Sequence, residues 1–374
     1  MDPNQQICRR SSPCLKSGAP APAFLGWEDG RREAGPQYLA DLASGSWLSE
    51  VLFTAVETGL FTLLDPTGKS AAVLAEETGW AAEGTVRFLN ALCAMGLLRS
   101  AGLLFENSPV ARDYLVKDRD QYLGDLILWR RYLAGYWQTL QDCLKAGGRV
   151  HYPSDDGHAD FVGRLSRYIG AMDAVARLKA REILAIFGDA VTGGRVLDVG
   201  AGSGAIAAEF LSRFPGLSAT LVDLPEVLDI AGGLMKERGL AARVAYCPAN
   251  ILEPWPVAPG RFQLVILSNV IHVYAAEEAG YILGAAAGCL AADGLLLIHD
   301  FFPEHFPLAA ALYDLNMFIN TYNGRLFASG WVQDALRRLN LFPSALIPLP
   351  TDTGLVIASR TAAGLARLSP DESR

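Results

Sequence analysis

Asp198 stands two residues ahead of the first glycine in Val196-Leu197-Asp198-Val199-Gly200-Ala201-Gly202-Ser203-Gly204, where an apolar run meets three glycines at alternate positions. Glycine lacks a Cβ and tolerates positive φ, so such a corner lets bare backbone approach a ligand. The dinucleotide fingerprint spaces its glycines G-x-G-x-x-G beneath a pyrophosphate. Here the spacing is G-x-G-x-G and the next residue is Ala205. A carboxylate aimed at the loop repels a pyrophosphate and suits a ligand bearing an ammonium or a sulfonium; S-adenosylmethionine carries both. Asp223 closes the next apolar run, Ala219-Thr220-Leu221-Val222, where a carboxylate can accept both hydroxyls of a ribose. The expected cofactor contacts are therefore Asp198, Gly200, Gly202, Gly204, Asp223 and its neighbour Leu224. Asn250, which follows the third apolar strand, is placed to bond an adenine edge.

The proton chemistry falls to His272, one of five histidines, which lies just past the run Leu264-Val265-Ile266-Leu267 in Ser268-Asn269-Val270-Ile271-His272. Imidazole titrates near neutrality and can take a proton from a hydroxyl as that oxygen attacks a sulfonium methyl. Asp300 ends the following strand and is placed to orient the ring, as the acid of a catalytic triad does. His299 alternates to the opposite face and reads as structural. Ser268 and Asn269 join the cofactor contacts because ligands of a doubly wound sheet lie outside the carboxyl ends of its strands. The scheme calls on no metal, and no His, Asp or Glu cluster has ligand spacing.

These residues need a sheet to carry them. Residues 195–199, 218–222, 243–247, 262–268 and 294–298 alternate with helical segments, and 344–348 with 353–359 reads as a closing hairpin. This is a doubly wound, mostly parallel α/β sheet. Before it, a helix at about 46–63, a second capped by Ser70 and a third at 83–95 precede two short strands about Gly102, a winged-helix order. A long helix at about 161–187 links the halves. The organisation expected is a loose arm at 1–35, a helical domain at 36–165, a cofactor-binding domain at 166–360 and a tail at 361–374.

Composition narrows the partners. A net charge of −8 disfavours nucleic acid and anionic membranes. The helix that a DNA-binding winged helix would use, around Arg87, is apolar. Residues 281–299 are apolar enough to suggest a membrane span, but Asp293-Gly294 divides them into helix, turn and strand. The six cysteines follow no C-x-x-C pattern, and the amino terminus has no signal-peptide core, which together point to a cytoplasmic protein.

The order of winged helix, linking helix, Asp-x-Gly-x-Gly-x-Gly, Asp223-Leu224-Pro225 and strand followed by His272 resembles the S-adenosylmethionine-dependent O-methyltransferases of the caffeate, chalcone and acetylserotonin type and their bacterial relatives. The resemblance covers about 38–360. It implies a class I methyltransferase fold, a homodimer interlocked through the helical domain, S-adenosylhomocysteine as the cofactor product and His272 as catalytic base. It also matches Met172 to a methionine that borders the reacting groups. Asn250 stands where relatives usually carry Asp. Plant members follow the histidine with Asp-Trp, where this chain has Val273-Tyr274, and bracket it with two glutamates. Asp300 matches the first of these; the second falls near Leu326, where no acid stands.

An acceptor hydroxyl on an aromatic or planar small molecule fits the expected lining by Met172, Phe301, Phe302, Met317, Phe318 and Tyr322. Two competing readings of the same residues remain open. One is methylation at carbon, or a reaction that uses the bound cofactor without methyl transfer. The other is a ligand-sensing regulator, against which the acidic charge and the apolar recognition helix argue.

Overall fold

Gly59, at φ +67°, interrupts the first apolar run, so the single helix expected at 46–63 is two. The computed structural model describes residues 36–152 and 158–368, and the arm at 1–35 lies outside them. It divides into two compact units between Arg131 and Tyr132.

In the first unit α1 (Pro36–Ala43), α2 (Gly45–Glu57) and α3 (Leu60–Leu63) lead to β1 (Lys69–Ser70), α4 (Ala71–Thr78) and α5 (Ala82–Ala94). Ser70 caps α4 by accepting the Val73 amide at 3.3 Å. The hairpin of β2 (Leu98–Ala101) and β3 (Leu104–Asn107) turns about Gly102, and β1 adds a third strand beside β3. Helix α6 (Pro109–Tyr114) completes a core around Phe61, Leu74, Leu89 and Leu92.

The division falls inside α7 (Gly124–Trp137), and α9 (His158–Phe187) is one uninterrupted helix whose end packs in the second unit's core. After α8 (Leu140–Ala146) and α9 come β4 (Gly193–Val199), α10 (Ala205–Arg213), β5 (Gly216–Asp223), α11 (Pro225–Glu237), β6 (Val244–Pro248), β7 (Phe262–Ser268), α12 (Ala276–Cys289) and β8 (Leu290–Asp300). The carboxyl-terminal part adds α13 (Pro307–Asn320), α14 (Ser329–Arg338), β9 (Phe342–Pro343), β10 (Ile347–Pro348), β11 (Gly354–Ser359) and α15 (Ala362–Ala366).

Strand order is β10-β11-β8-β7-β4-β5-β6, with β4 to β8 parallel and β11 antiparallel to β8. Side chains alternate between the two cores. Leu197, Val199, Val265 and Leu267 pack toward α12 and α14, whereas Val196, Leu264 and Ile266 pack toward α9, α10 and α11. The chain leaves β4 in opposite directions for β5 and β7, so the crevice at their carboxyl ends is the topological switch point.

Two expectations change. Asp293-Gly294 forms no separating turn: both residues lie within β8, where the register with β7 shifts between Phe262 and Leu264 and the extra residues bulge out. The tail begins later than 361, since α15 packs on the sheet and Leu368 joins the core around Leu355.

Candidate functional site

Three successive loop glycines adopt left-handed conformations, Gly200 at φ +65°, Gly202 at +54° and Gly204 at +71°. They are not equivalent. A Cβ on Gly200 would lie 2.7 Å from a Val270 methyl, and one on Gly204 would lie 2.6 Å from Met235 and 2.8 Å from Leu221, so both let elements close up. At Gly202 nothing lies within 4 Å, so its missing Cβ faces open space.

Asp223 holds this loop. Its Oδ2 accepts the Gly202 amide and its Oδ1 the Leu224 amide, each at 2.8 Å, leaving each oxygen lone pairs for a hydroxyl. Burial raises its pKa against the pull of these two bonds. Asp198 is 2 % exposed, and its Oδ2 has no hydrogen-bond partner among the described residues. Burial pushes its carboxyl up to about 8; a backbone bond from Ala207 opposes the shift and the Asp223 charge adds to it. A buried carboxyl with one oxygen unpartnered, beside an open glycine and a second acid, fits a cationic nucleoside such as S-adenosylmethionine, whose positive charge favours the ionised form.

Asn269, also left-handed at φ +55°, donates its amide to His299 O at 2.8 Å, and its side-chain Oδ1 is buried without a partner. The Ser268 hydroxyl pairs with His299 Nδ1 at 2.8 Å, and His299 Nε2 meets Thr353 Oγ1 at 2.9 Å. His299 thus ties β8 to β7 and to the residue just before β11, and burial, with the Lys179 charge adding, lowers its pKa to about 3. Asn250 is exposed past β6, where its Oδ1 accepts the Leu252 amide at 3.1 Å in a local turn. Leu224 is half exposed at the start of α11.

His272 sits in a single helical turn after β7 and is 4 % exposed. Its Nδ1 lies 2.6 Å from Asp300 Oδ1, which also accepts the Phe301 amide at 2.8 Å. No second carboxylate bonds the imidazole among the described residues. Asp314, near Leu326 in space, accepts the Leu326 amide through its Oδ1 at 2.6 Å. The ring is walled by Phe301 and Tyr313, which stack on each other at 3.8 Å between centroids and meet the imidazole edge-on at 6.1 and 5.6 Å.

Of the expected lining, Phe301 and Met317 share one buried cluster with Leu326 and Tyr313. Phe318 and Met172 are half-buried, and Tyr322 is 77 % exposed beside Tyr152. Phe302 does not line the site: at 1 % exposure it is sealed in the core, because successive residues at the end of β8 point to opposite faces.

Several neighbours escaped the sequence reading. Asn316 Oδ1 accepts from Trp137 Nε1 at 3.1 Å and from Asn320 Nδ2 at 2.9 Å. With Tyr313 and Met317 these asparagines form an i, i+3, i+4, i+7 stripe, a signal present in the sequence. Tyr168 and Tyr274 lie within electrostatic reach of Asp223. Desolvation, then that negative charge, raises both phenol pKa values, and Tyr168 is 40 % exposed. A groove of about 810 Å³ between α14, β9 and α15 lies at the other end of the sheet, where Ser359 pairs with Leu295 at the amino end of the paired run of β8.

Two family descriptions match the chain: an O-methyltransferase dimerisation domain over residues 40–117 and an O-methyltransferase domain over 137–329. The 3-hydroxy-5-methyl-1-naphthoate 3-O-methyltransferase of Streptomyces sahachiroi is 29 % identical over 310 residues, 80 % of this chain and 89 % of that protein. A solved O-methyltransferase family protein from Burkholderia thailandensis superposes with a TM-score of 0.75 at 26 % identity, covering 86 % of this chain and 97 % of that one. Human N-acetylserotonin methyltransferase, solved in complex with S-adenosylmethionine, shares the fold at a TM-score of 0.76 and 23 % identity, covering 87 % and 97 %.

Proposed function

This chain belongs to the O-methyltransferase family, and on that premise we propose that His272 is the general base of an S-adenosylmethionine-dependent methyl transfer to a hydroxyl on an aromatic or otherwise planar small molecule. The observation that carries the proposal is the buried His272–Asp300 pair at the carboxyl end of the switch-point strands. Asp300 Oδ1 accepts the Nδ1 proton, which fixes the tautomer and leaves the Nε2 lone pair for the acceptor. When bound, the cofactor supplies a methyl group on positively charged sulfur. His272 Nε2 holds the proton released by the hydroxyl as that oxygen takes the methyl group, and the cofactor product is S-adenosylhomocysteine. Most of the acceleration comes from holding the acceptor in line and excluding water, to which proton transfer adds about 10²–10⁴-fold.

Cofactor binding is assigned to Asp198, Gly200, Gly202, Gly204, Asp223, Leu224, Asn250, Ser268 and Asn269. Asp198 compensates the positive charge, Asp223 accepts hydroxyls, and Ser268 acts through its backbone because its hydroxyl belongs to His299. The Phe301–Tyr313 stack beside the imidazole favours a planar acceptor, with Met172, Met317, Phe318 and Tyr322 around it. The Streptomyces relative is named for an aromatic hydroxy acid, which supports the same class here. The scheme calls on no metal.

The reading extends to a homodimer formed through the amino-terminal helical domain and a cytoplasmic location. The dimerisation-domain match supports the first. Free Cys143, Cys247 and Cys289 are consistent with the second, and no helix among the described residues is long and apolar enough to cross a membrane.

Turnover of a panel of phenols by wild type and His272→Ala tests the base. The variant is expected to lose about 10²–10⁴-fold in kcat while still binding cofactor. Full activity on every accepted phenol would remove His272 from that role.

A further inference from the structure

We propose that Arg149 recognises a carboxylate on the methyl acceptor, making the preferred substrate an anionic aromatic hydroxy acid; this rests on the O-methylation reading of the His272 site. The Arg149 guanidinium lies 5.5 Å from the ring centre of Tyr152 and 6.0 Å from that of Tyr322, and the two rings are 5.6 Å apart at 33°. Both distances are within cation–π range. The Nε–H is donated to His151 O, and Tyr152 donates its hydroxyl to Arg149 O at 3.2 Å, so the segment closes on itself. Neither terminal nitrogen of Arg149 has a hydrogen-bond partner, and no carboxylate pairs with it, among the described residues. In a chain of net charge −8, an arginine braced by two rings with its fork unused is set for an anion.

Tyr322 links Arg149 to the segment that packs on the backbone of the His272 turn. That tyrosine belongs to residues 321–325, which are in backbone contact with the His272 turn: the Arg325 amide donates to His272 O at 2.9 Å. A Cβ on Gly324 would stand 2.6 Å from the same carbonyl. The segment is fixed from below by Thr321, whose hydroxyl donates to Met317 O at 2.7 Å and accepts the Gly324 amide at 2.9 Å. Among the described residues, two acids of the surrounding segments are committed elsewhere. Glu278 Oε2 accepts from Ala275 N at 3.0 Å and Asn323 Nδ2 at 2.8 Å, and Asp314 holds Leu326. A planar acceptor with its hydroxyl at His272 and its ring along Met317 would direct a distal substituent toward Tyr322 and Arg149. A carboxylate there is bound by two parallel N–H donors.

The experiment compares a hydroxynaphthoic acid, with its carboxylate on the ring distant from the hydroxyl, against the naphthol of the same hydroxyl position. Wild type is expected to favour the acid in kcat/KM. Arg149→Gln should reduce the acid-to-naphthol ratio by about 10–100-fold, mainly through KM for the acid, with Arg149→Lys in between. A ratio unchanged within about twofold, or a wild type indifferent to the carboxylate, overturns the proposal. Calorimetric binding of both compounds to wild type and Arg149→Gln separates the two readings. If neither compound is methylated, the O-methylation reading fails, while loss of a binding preference for the acid in the variant still upholds Arg149; equal binding by both proteins rejects it.

Discussion

Two buried residues make the site sensitive to pH in opposite senses. Asp198 has its carboxyl raised from 3.8 to about 8, so the folded protein holds a proton there that the unfolded chain has released. Stability from this group is therefore lost as pH rises from about 4 to 8. Asp198→Asn removes the dependence, and the melting temperature of the variant relative to wild type should climb across that window in a thermal-shift series. On the proposed assignment the same variant lacks the carboxylate for the cation, so cofactor affinity measured by calorimetry should fall about 10–100-fold. His299 has its pKa lowered from 6.5 to about 3, so here the unfolded chain binds the extra proton and stability falls on acidification from 6.5 toward 3. Replacing it by Gln should flatten the acid limb of the stability curve. A slope equal to wild type would mean that burial and the Lys179 charge do not keep the ring neutral.

Among elements, the strand–loop–helix corner between β4 and α10 separates packing from binding. Gly200 and Gly204 are small because Val270, Met235 and Leu221 press on them, whereas Gly202 is small beside open space. Gly204→Ala should therefore cost about 1–3 kcal/mol of stability from overpacking and positive φ. Gly202→Ala bears only the conformational cost of about 1–2 kcal/mol, yet should weaken cofactor binding more than tenfold. Denaturant melts and cofactor titrations on the two variants check this, and equal cofactor affinities in both would place the ligand elsewhere. The strand-end rule also explains why His272 and Asp300 meet. β7 and β8 are parallel neighbours, so residues just past Ser268 and at the end of β8 emerge at one rim.

At the scale of the whole molecule, the first unit carries large exposed apolar side chains, Trp47 at 71 % and Leu103 at 73 %, within the segment matched to a dimerisation domain. Wild type should sediment at twice the chain mass, and Trp47→Glu with Leu103→Glu should shift it toward a single chain; an unshifted dimer would place the interface on other residues. The sheet, the glycine loop and the residues at its strand ends were legible in the sequence, because each depends on local pattern: apolar runs make strands, G-x-G-x-G makes a bare corner, and parallel winding brings the strand ends to one rim. Local pattern could not say that the Ser268 hydroxyl turns to His299 or that Phe302 faces the core. Nor could it say that Tyr313 and Phe301 wall the imidazole, or that Arg149 lies over Tyr322 from far along the chain. These depend on which faces of separate elements meet, and side-chain direction at a strand end or loop is set by packing against residues remote in sequence. The sequence alone determined the cofactor class and the strand end at which the proposed base, His272, stands. Tertiary packing decided how that base is held and what surrounds the acceptor.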